Sequence, residues 1–168
     1  TGSWDKTART IQVATGRELH TTKHDGEVWD VRFSPDGQTL ATASADQTAR
    51  LIDVASGEEL ARVEHGDEVW DVAFSADGQW LATGSADRMA RLIDTAGDRP
   101  ELTTVHGGIV FGLAFSPDGR YLATAGADHT VRLTDTASGR EAASIMHADQ
   151  VYADSPACER GKGSRRAP

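Results

Sequence analysis

Residues 65–105, HGDEVWDVAFSADGQWLATGSADRMARLIDTAGDRPELTTV, follow directly on residues 24–64, HDGEVWDVRFSPDGQTLATASADQTARLIDVASGEELARVE, and the two segments agree at 23 of 41 positions. Agreement of that kind is an internal repeat, and a fixed repeat length decides the architecture before any local propensity does. The period runs through the chain. His24, His65, His106 and His147 are spaced by 41, and so are Asp5, Asp46, Asp87 and Asp128, and Arg9, Arg50, Arg91 and Arg132.

One unit reads as four short strands divided by turn chemistry. The first, Glu27 to Phe33, runs into Ser34-Pro35-Asp36-Gly37, where Pro presets φ at the second position and Gly supplies the positive φ of the last. The turn recurs as Ser75 to Gly78 and Ser116 to Gly119. A second strand, Thr39 to Ser44, ends at Asp46. A third, Thr48 to Asp53, alternates Ala49, Leu51 and Asp53 against Thr48, Arg50 and Ile52, and Ser56-Gly57 breaks it before a fourth, Glu58 to Val63. The unit ending at Val105 carries its fourth strand nearer the next histidine, and Pro100 suits an outer edge strand that can lack one donor. Helical periodicity is missing from the unit, and four strands in about 40 residues is the cue for one blade of a β-propeller. The fold class is all-β.

In the first strand, Val28, Val31 and Phe33 change parity, because a step of three is followed by a step of two. A β-bulge near Trp29 and Asp30 reconciles this, keeping all three apolar residues inward while re-aiming those between. The pattern recurs as Val69, Val72, Phe74 and as Val110, Leu113, Phe115.

These residues resemble the WD-repeat family of β-propellers, over roughly residues 2 to 153. The elements that carry the resemblance are FSPDG at Phe33 to Gly37 and Phe115 to Gly119, LATAS or LATGS before the aspartate, and ARLID or VRLTD after it. The signature pairs are eroded. Where the family has Trp-Asp at the end of the third strand, the chain has Ile52-Asp53, Ile93-Asp94 and Thr134-Asp135, and its literal Trp4-Asp5, Trp29-Asp30 and Trp70-Asp71 fall elsewhere in the register. The resemblance implies a hydrogen-bonded set in each blade: His24, Thr42 and Asp46; His65, Thr83 and Asp87; His106, Thr124 and Asp128. The Trp that completes the set is replaced. A catalytic reading of Thr-His-Asp is set aside because a nucleophile needs a cleft and an oxyanion hole, not three identical copies.

The resemblance also implies a rigid platform for protein partners. Its top-face positions map to Glu27 and Trp29, Glu68 and Trp70, Ile109 and Phe111, and Gln150 and Tyr152. Aromatics ringed by carboxylates have the composition of binding hot spots; the alternative is that the rings only pack between blades. Near-identical repeats rich in Ala, Arg, Gly and Asp resemble propellers appended to bacterial kinases or NTPases, and a cytoplasmic protein is expected.

Composition narrows the partners. With 17 Lys and Arg against 26 Asp and Glu the formal charge is -9, which argues against nucleic acid and anionic membranes. The longest apolar-leaning run, Gly107 to Phe115, is far short of a membrane span. A single cysteine, Cys158, excludes an intrachain disulfide and a cysteine-cluster metal site. Histidines placed one per blade point away from a common centre, so no shared metal is expected. Gly161-Lys162-Gly163 lacks the rest of a phosphate loop, and no cofactor is expected.

Three units are whole. The first contributes its third and fourth strands, about Ser3 to Thr22, and His147 to Ala153 begins another first strand. Residues 154–168, with four basic and two acidic side chains, read as a disordered or non-native tail on a more acidic propeller of residues 1–153. Thr1 is preceded by neither Met nor leader, and the chain reads as a fragment of a larger protein. Propellers close with 4 to 8 blades. An uncovered face of order 400 Å² of apolar surface forgoes roughly 10 kcal/mol of burial. The chain is therefore expected to pack against the rest of its own propeller or to self-associate, and a self-assembled half-propeller that binds a ligand or carbohydrate is the alternative to the scaffold.

Overall fold

A computed structural model describes residues 1–149, in which every regular element is a strand. A partial sheet of β1 (Thr7–Gln12) and β2 (Arg17–Lys23) precedes three four-stranded antiparallel blades. Blade 1 is β3 (Val28–Phe33), β4 (Thr39–Ser44), β5 (Thr48–Asp53) and β6 (Glu59–Glu64). Blade 2 is β7 (Val69–Phe74), β8 (Trp80–Ser85), β9 (Met89–Asp94) and β10 (Leu102–Val105). Blade 3 is β11 (Val110–Phe115), β12 (Tyr121–Gly126), β13 (Thr130–Asp135) and β14 (Glu141–Met146). In each blade the strands lie side by side in chain order. Gln150, Tyr152 and the tail lie outside the described residues.

The turns that make the hairpins are built by short polar side chains. After β3 the Ser34 hydroxyl donates to Asp36 Oδ1 and accepts from the Thr39 amide at 2.9 Å, while Gly37 takes φ +71°. Between β4 and β5 the Asp46 amide donates to Ser44 Oγ at 3.1 Å, and Asp46 Oδ1 accepts from the Thr48 amide at 3.1 Å. These bonds hold Gln47 at φ 71°, a left-handed conformation that costs a side-chain-bearing residue energy. Arg88 and His129 repeat it at φ 72° and 68°.

Single sheets of this size have one apolar face too many, and the core lies in the seams between blades. In the first seam, Ala41, Ala43, Ala49 and Leu51 of blade 1 meet Val69, Val72 and Leu81 of blade 2. In the second, Ala82, Ala90 and Leu92 of blade 2 meet Val110, Leu113 and Leu122 of blade 3. Small side chains on one sheet let the larger ones of the next interdigitate. At Gly84 the sheets approach closely, because a Cβ there would sit 3.1 Å from Val110 Cγ1.

The bulge lies where the change of parity puts it. Register slips between Val28 and Asp30, Val69 and Asp71, and Val110 and Gly112. Several expectations need correction. Phe33 does not face inward but is 57% exposed, whereas Phe74 and Phe115 pack against the seams, because a full preceding blade covers them and only a two-stranded sheet precedes β3. The third strand of blade 1 does not alternate, and Thr48 to Ile52 are all buried because both of its faces are covered. Of the two roles expected for the periodic arginines, facing solvent or pairing with nearby carboxylates, Arg50 takes the second, buried against Asp46 and Glu59. The first unit retains a trace of its second strand, since Gly2 bridges Ala8 and the Arg9 amide donates to Thr1 O at 2.9 Å.

Leu92 and Leu133 occupy the same register position, one sealed in a seam and the other on the outer face of blade 3. Leu92→Ala is expected to cost about 3 kcal/mol in urea denaturation and Leu133→Ala about 1 kcal/mol or less. Equal costs would mean that the blade, and not the seam, is the unit of burial.

Candidate functional site

The bulges place an aromatic residue at the start of each blade's first strand. Trp29 and Trp70 stack with centroids 5.5 Å apart and planes 8° from parallel, and Phe111 meets Trp70 edge-on at 5.8 Å and 84°. All three rings are half-buried, so each packs across a seam and still presents an edge to solvent. Glu27, Glu68 and Ile109 flank them, also half-buried. Their backbone is fixed, since the carbonyls of Glu27, Glu68 and Ile109 accept from the amides of Ala45, Ala86 and Ala127 at 2.8, 2.8 and 2.7 Å. Burial raises the Glu68 carboxyl above its usual range, with the Asp67 and Glu27 carboxylates adding to it. The rim is thus aromatic in its middle and acidic at its edge.

At the outer corner of each blade the imidazole joins two strands to a turn. His24 Nδ1 lies 2.9 Å from Asp46 Oδ2 and Nε2 lies 3.0 Å from Thr42 Oγ1. The corresponding distances are 2.9 and 2.8 Å at His65, to Asp87 and Thr83, and 3.3 and 2.7 Å at His106, to Asp128 and Thr124. Burial lowers each histidine below its ordinary value, against the partly offsetting pull of the carboxylate. Each ring is therefore neutral at pH 7. A carboxylate only accepts, so Nδ1 carries the proton and donates to Asp, while Nε2 accepts from the threonine hydroxyl. Thr42, Thr83 and Thr124 are wholly buried, which denies the hydroxyl the access a nucleophile needs.

Two further features complete the arrangement. The first is the arginine of each corner, one of the pairings with carboxylates that the repeat suggests. Arg50 Nη2 lies 2.8 Å from Asp46 Oδ2, its Nε donates to Thr48 Oγ1 at 3.1 Å, and its Nη1 donates to the Lys23 carbonyl at 3.1 Å. Arg9 pairs with Asp5 at 3.0 Å in the partial sheet, and Arg132 with Glu141 at 2.7 Å. The 41-residue spacing of Asp and Arg was the available signal. The second is the aspartate that follows each rim tryptophan. Asp30 and Asp71 turn into the structure beyond the bulge and are buried. Asp71 Oδ2 accepts from the Leu113 amide at 2.9 Å across the second seam, and the Asp30 carboxylate is the charged neighbour that raises its pKa. Burial first, and then the Asp30 charge, push Asp71 up to about 8. Blade 3 has Gly112 at this position, which ends the row.

A model of the WD domain, G-beta repeat, matches residues 16–53, 57–94 and 99–135. The chain belongs to the WD40 family. In this WD40 chain the Trp of the corner set is replaced by Ile52, Ile93 and Thr134, and Thr134 Oγ1 instead meets Thr104 Oγ1 of blade 2 at 2.9 Å. No curated protein sequence matches the chain. Among solved structures it is similar to a chain of the crystal structure of a mitotic checkpoint complex, with TM-score 0.81 and 23% identity over 89% of this chain and 48% of that one. The WD40 chain thus spans about half of that chain's length, and at this identity the likeness concerns the fold.

The titrating groups pull in opposite directions. Unfolded histidines titrate near 6.5 and the three folded ones lower, so the corner sets lose stability as pH falls below about 6.5. Asp71 is raised in the fold, so its contribution is present at acid pH and is lost as pH rises from about 4 toward 8. Asp71→Asn, which keeps an acceptor for the Leu113 amide, is expected to stabilise the protein by about 1–3 kcal/mol at pH 8 in urea titrations, with the gain shrinking toward pH 4. A gain independent of pH would assign the effect to some other group.

Proposed function

We propose that the chain is a non-catalytic protein-interaction scaffold, part of a larger WD40 protein of bacterial type that works in the cytoplasm. The observation that carries this is the unbroken row of Trp29, Trp70 and Phe111, each in ring contact with its neighbour and partly open to solvent on an acidic rim. Rigid aromatics give large contact area at little entropic cost, and adjacent carboxylates orient a basic partner. Membership of the WD40 family supports the reading. The formal charge of -9 directs it toward basic protein surfaces and away from nucleic acid or anionic membrane.

A second reading, a half-propeller that self-assembles and binds a ligand or carbohydrate as an oligomer, draws on the outer face of blade 3. There Ile145 and Met146 are 61% and 79% exposed, and Ala123, Val131 and Leu133 are only partly covered. Sedimentation velocity separates the two, with a concentration-independent monomer expected for the scaffold and a concentration-dependent dimer or larger species for the half-propeller.

Truncation of the rim tests the scaffold. Trp29→Ala and Trp70→Ala together are expected to abolish partner capture in quantitative pull-downs while the chain still unfolds in one cooperative transition. Undiminished capture by the folded variant would remove the rim as the binding surface.

A further inference from the structure

The first and second seams follow the same plan, yet one is filled and the other is open. In the second, the Trp80 indole lies buried against the core and Leu102 packs beside it. At the equivalent positions 41 residues earlier stand Thr39 and Ala61. The two small side chains leave a cavity of about 500 Å³ in the first seam, of a size that accepts a small ligand or a side chain. Its floor is Leu51, Leu60, Ala61 and Phe74, and Asp36 and Asp77 of the two Ser-x-Asp-Gly turns stand at its edge. Leu60 is 59% exposed there. The cavity lies at the opposite end of the strands from the Trp29 rim, beside the turn that closes β3.

The chain itself shows what satisfies such a space. Over the Trp80 ring, at 4.4 Å, sits the Arg99 guanidinium. Its Nε lies 3.3 Å from Asp94 Oδ2, and its Nη2 donates to Gln79 Oε1 at 2.9 Å. Forty-one residues earlier the acceptors recur as Asp53 and Gln38, while the arginine position is Glu58. The first seam has neither the indole nor the cation, and Asp53 is engaged by the Ser56 amide and hydroxyl, which leaves the turn carboxylates at the cavity edge to meet a cation. The Ser34 and Ser75 hydroxyls, with the Gln38 and Gln79 amides, hold Asp36 and Asp77 below the ordinary carboxylate range, so the edge is negatively charged at neutral pH.

We propose that the cavity between blades 1 and 2 binds a segment of a protein partner carrying an aromatic side chain next to a basic one, so that the partner supplies there what Trp80 and Arg99 supply one seam along. The aromatic ring enters between Leu51 and Phe74, and the cation faces Asp36, Asp77 and the Gln38 side chain. Cation–aromatic stacking and burial of the ring act together, as they do at Trp80. The proposal concerns a second surface and does not depend on the rim.

The test is titration of the 168-residue chain with N-acetyl-Trp-Arg-amide, followed by calorimetry and by chemical shifts of the Thr39 and Phe74 amides. Saturable binding with Kd of about 1 mM or tighter is expected. Thr39→Trp combined with Ala61→Leu copies the filled seam, and should weaken binding by about tenfold or more while leaving the melting temperature equal or higher. Leu60→Ser, at an exposed position, should weaken binding several-fold in a chain that folds normally, and it carries the test if the double variant misfolds. Trp29→Ala with Trp70→Ala should leave this binding unchanged, which separates it from the rim. Failure of the wild type to bind, equal affinity for N-acetyl-Ala-Arg-amide, or undiminished binding by the folded Leu60→Ser variant would overturn the proposal.

Discussion

Each blade is held by the face it shares with its neighbour. A four-stranded sheet of six-residue strands cannot bury its apolar side chains within itself, and here it buries them by setting Val-x-x-Val-x-Phe of one first strand onto the Ala and Leu columns of the preceding blade. From that constraint follow the glycine at Gly84, where a larger side chain would meet Val110, and the bulge that keeps Val69 and Val72 on one face despite their spacing. It also accounts for the gradation along the chain. Leu51 and Leu92, which face the two seams, are buried, while the equivalent Leu133 at one end is only partly covered, and Phe33 at the other end is 57% exposed where its equivalents Phe74 and Phe115 pack against the seams.

The corner network works on top of the seam. A buried neutral histidine, its aspartate and its threonine tie the start of a blade to the turn between its second and third strands, and at Arg50 the guanidinium extends the set to the preceding sheet through the Lys23 carbonyl. Hydrogen bonds of this charge-assisted kind contribute on the order of 1.5–3 kcal/mol each when desolvated. The His147 amide donates to His129 O at 2.7 Å, as the His65 amide does to Gln47 O, so the last corner closes on the backbone alone among the described residues. Where the resemblance places the family's Trp, Ile52 and Thr134 are almost completely covered and Ile93 is half-buried.

Much of this was legible in the sequence because the repeat multiplies every signal. Turn residues, strand boundaries within a residue, and the bulge all follow from a pattern seen three times, and the bulge from parity alone. What stayed hidden was relational. The burial of Phe74 against the exposure of Phe33 depends on whether a full blade precedes, which no local pattern encodes. Asp30 and Asp71 stand 41 residues apart, and only the fold buries both behind the bulge and sets Asp71 against the Leu113 amide. The rings of Trp29, Trp70 and Phe111 were visible as a column, but packing between blades and exposure to a partner stood as alternatives; their stacking with open edges makes them compatible. The cavity under Thr39 is legible afterwards, by laying Thr39 on Trp80 and Ala61 on Leu102.

The seam gives the protein a rigid base on which an aromatic rim and a seam cavity can be presented at fixed spacing. Native-state hydrogen exchange resolved by residue tests that base most directly. If the seams hold the fold, protection should be greatest in β7, β8 and β9, which lie between two seams, and should decline toward β1 and β2 on one side and β14 on the other. Uniform protection across all three blades, or slowest exchange in β14, would contradict the account.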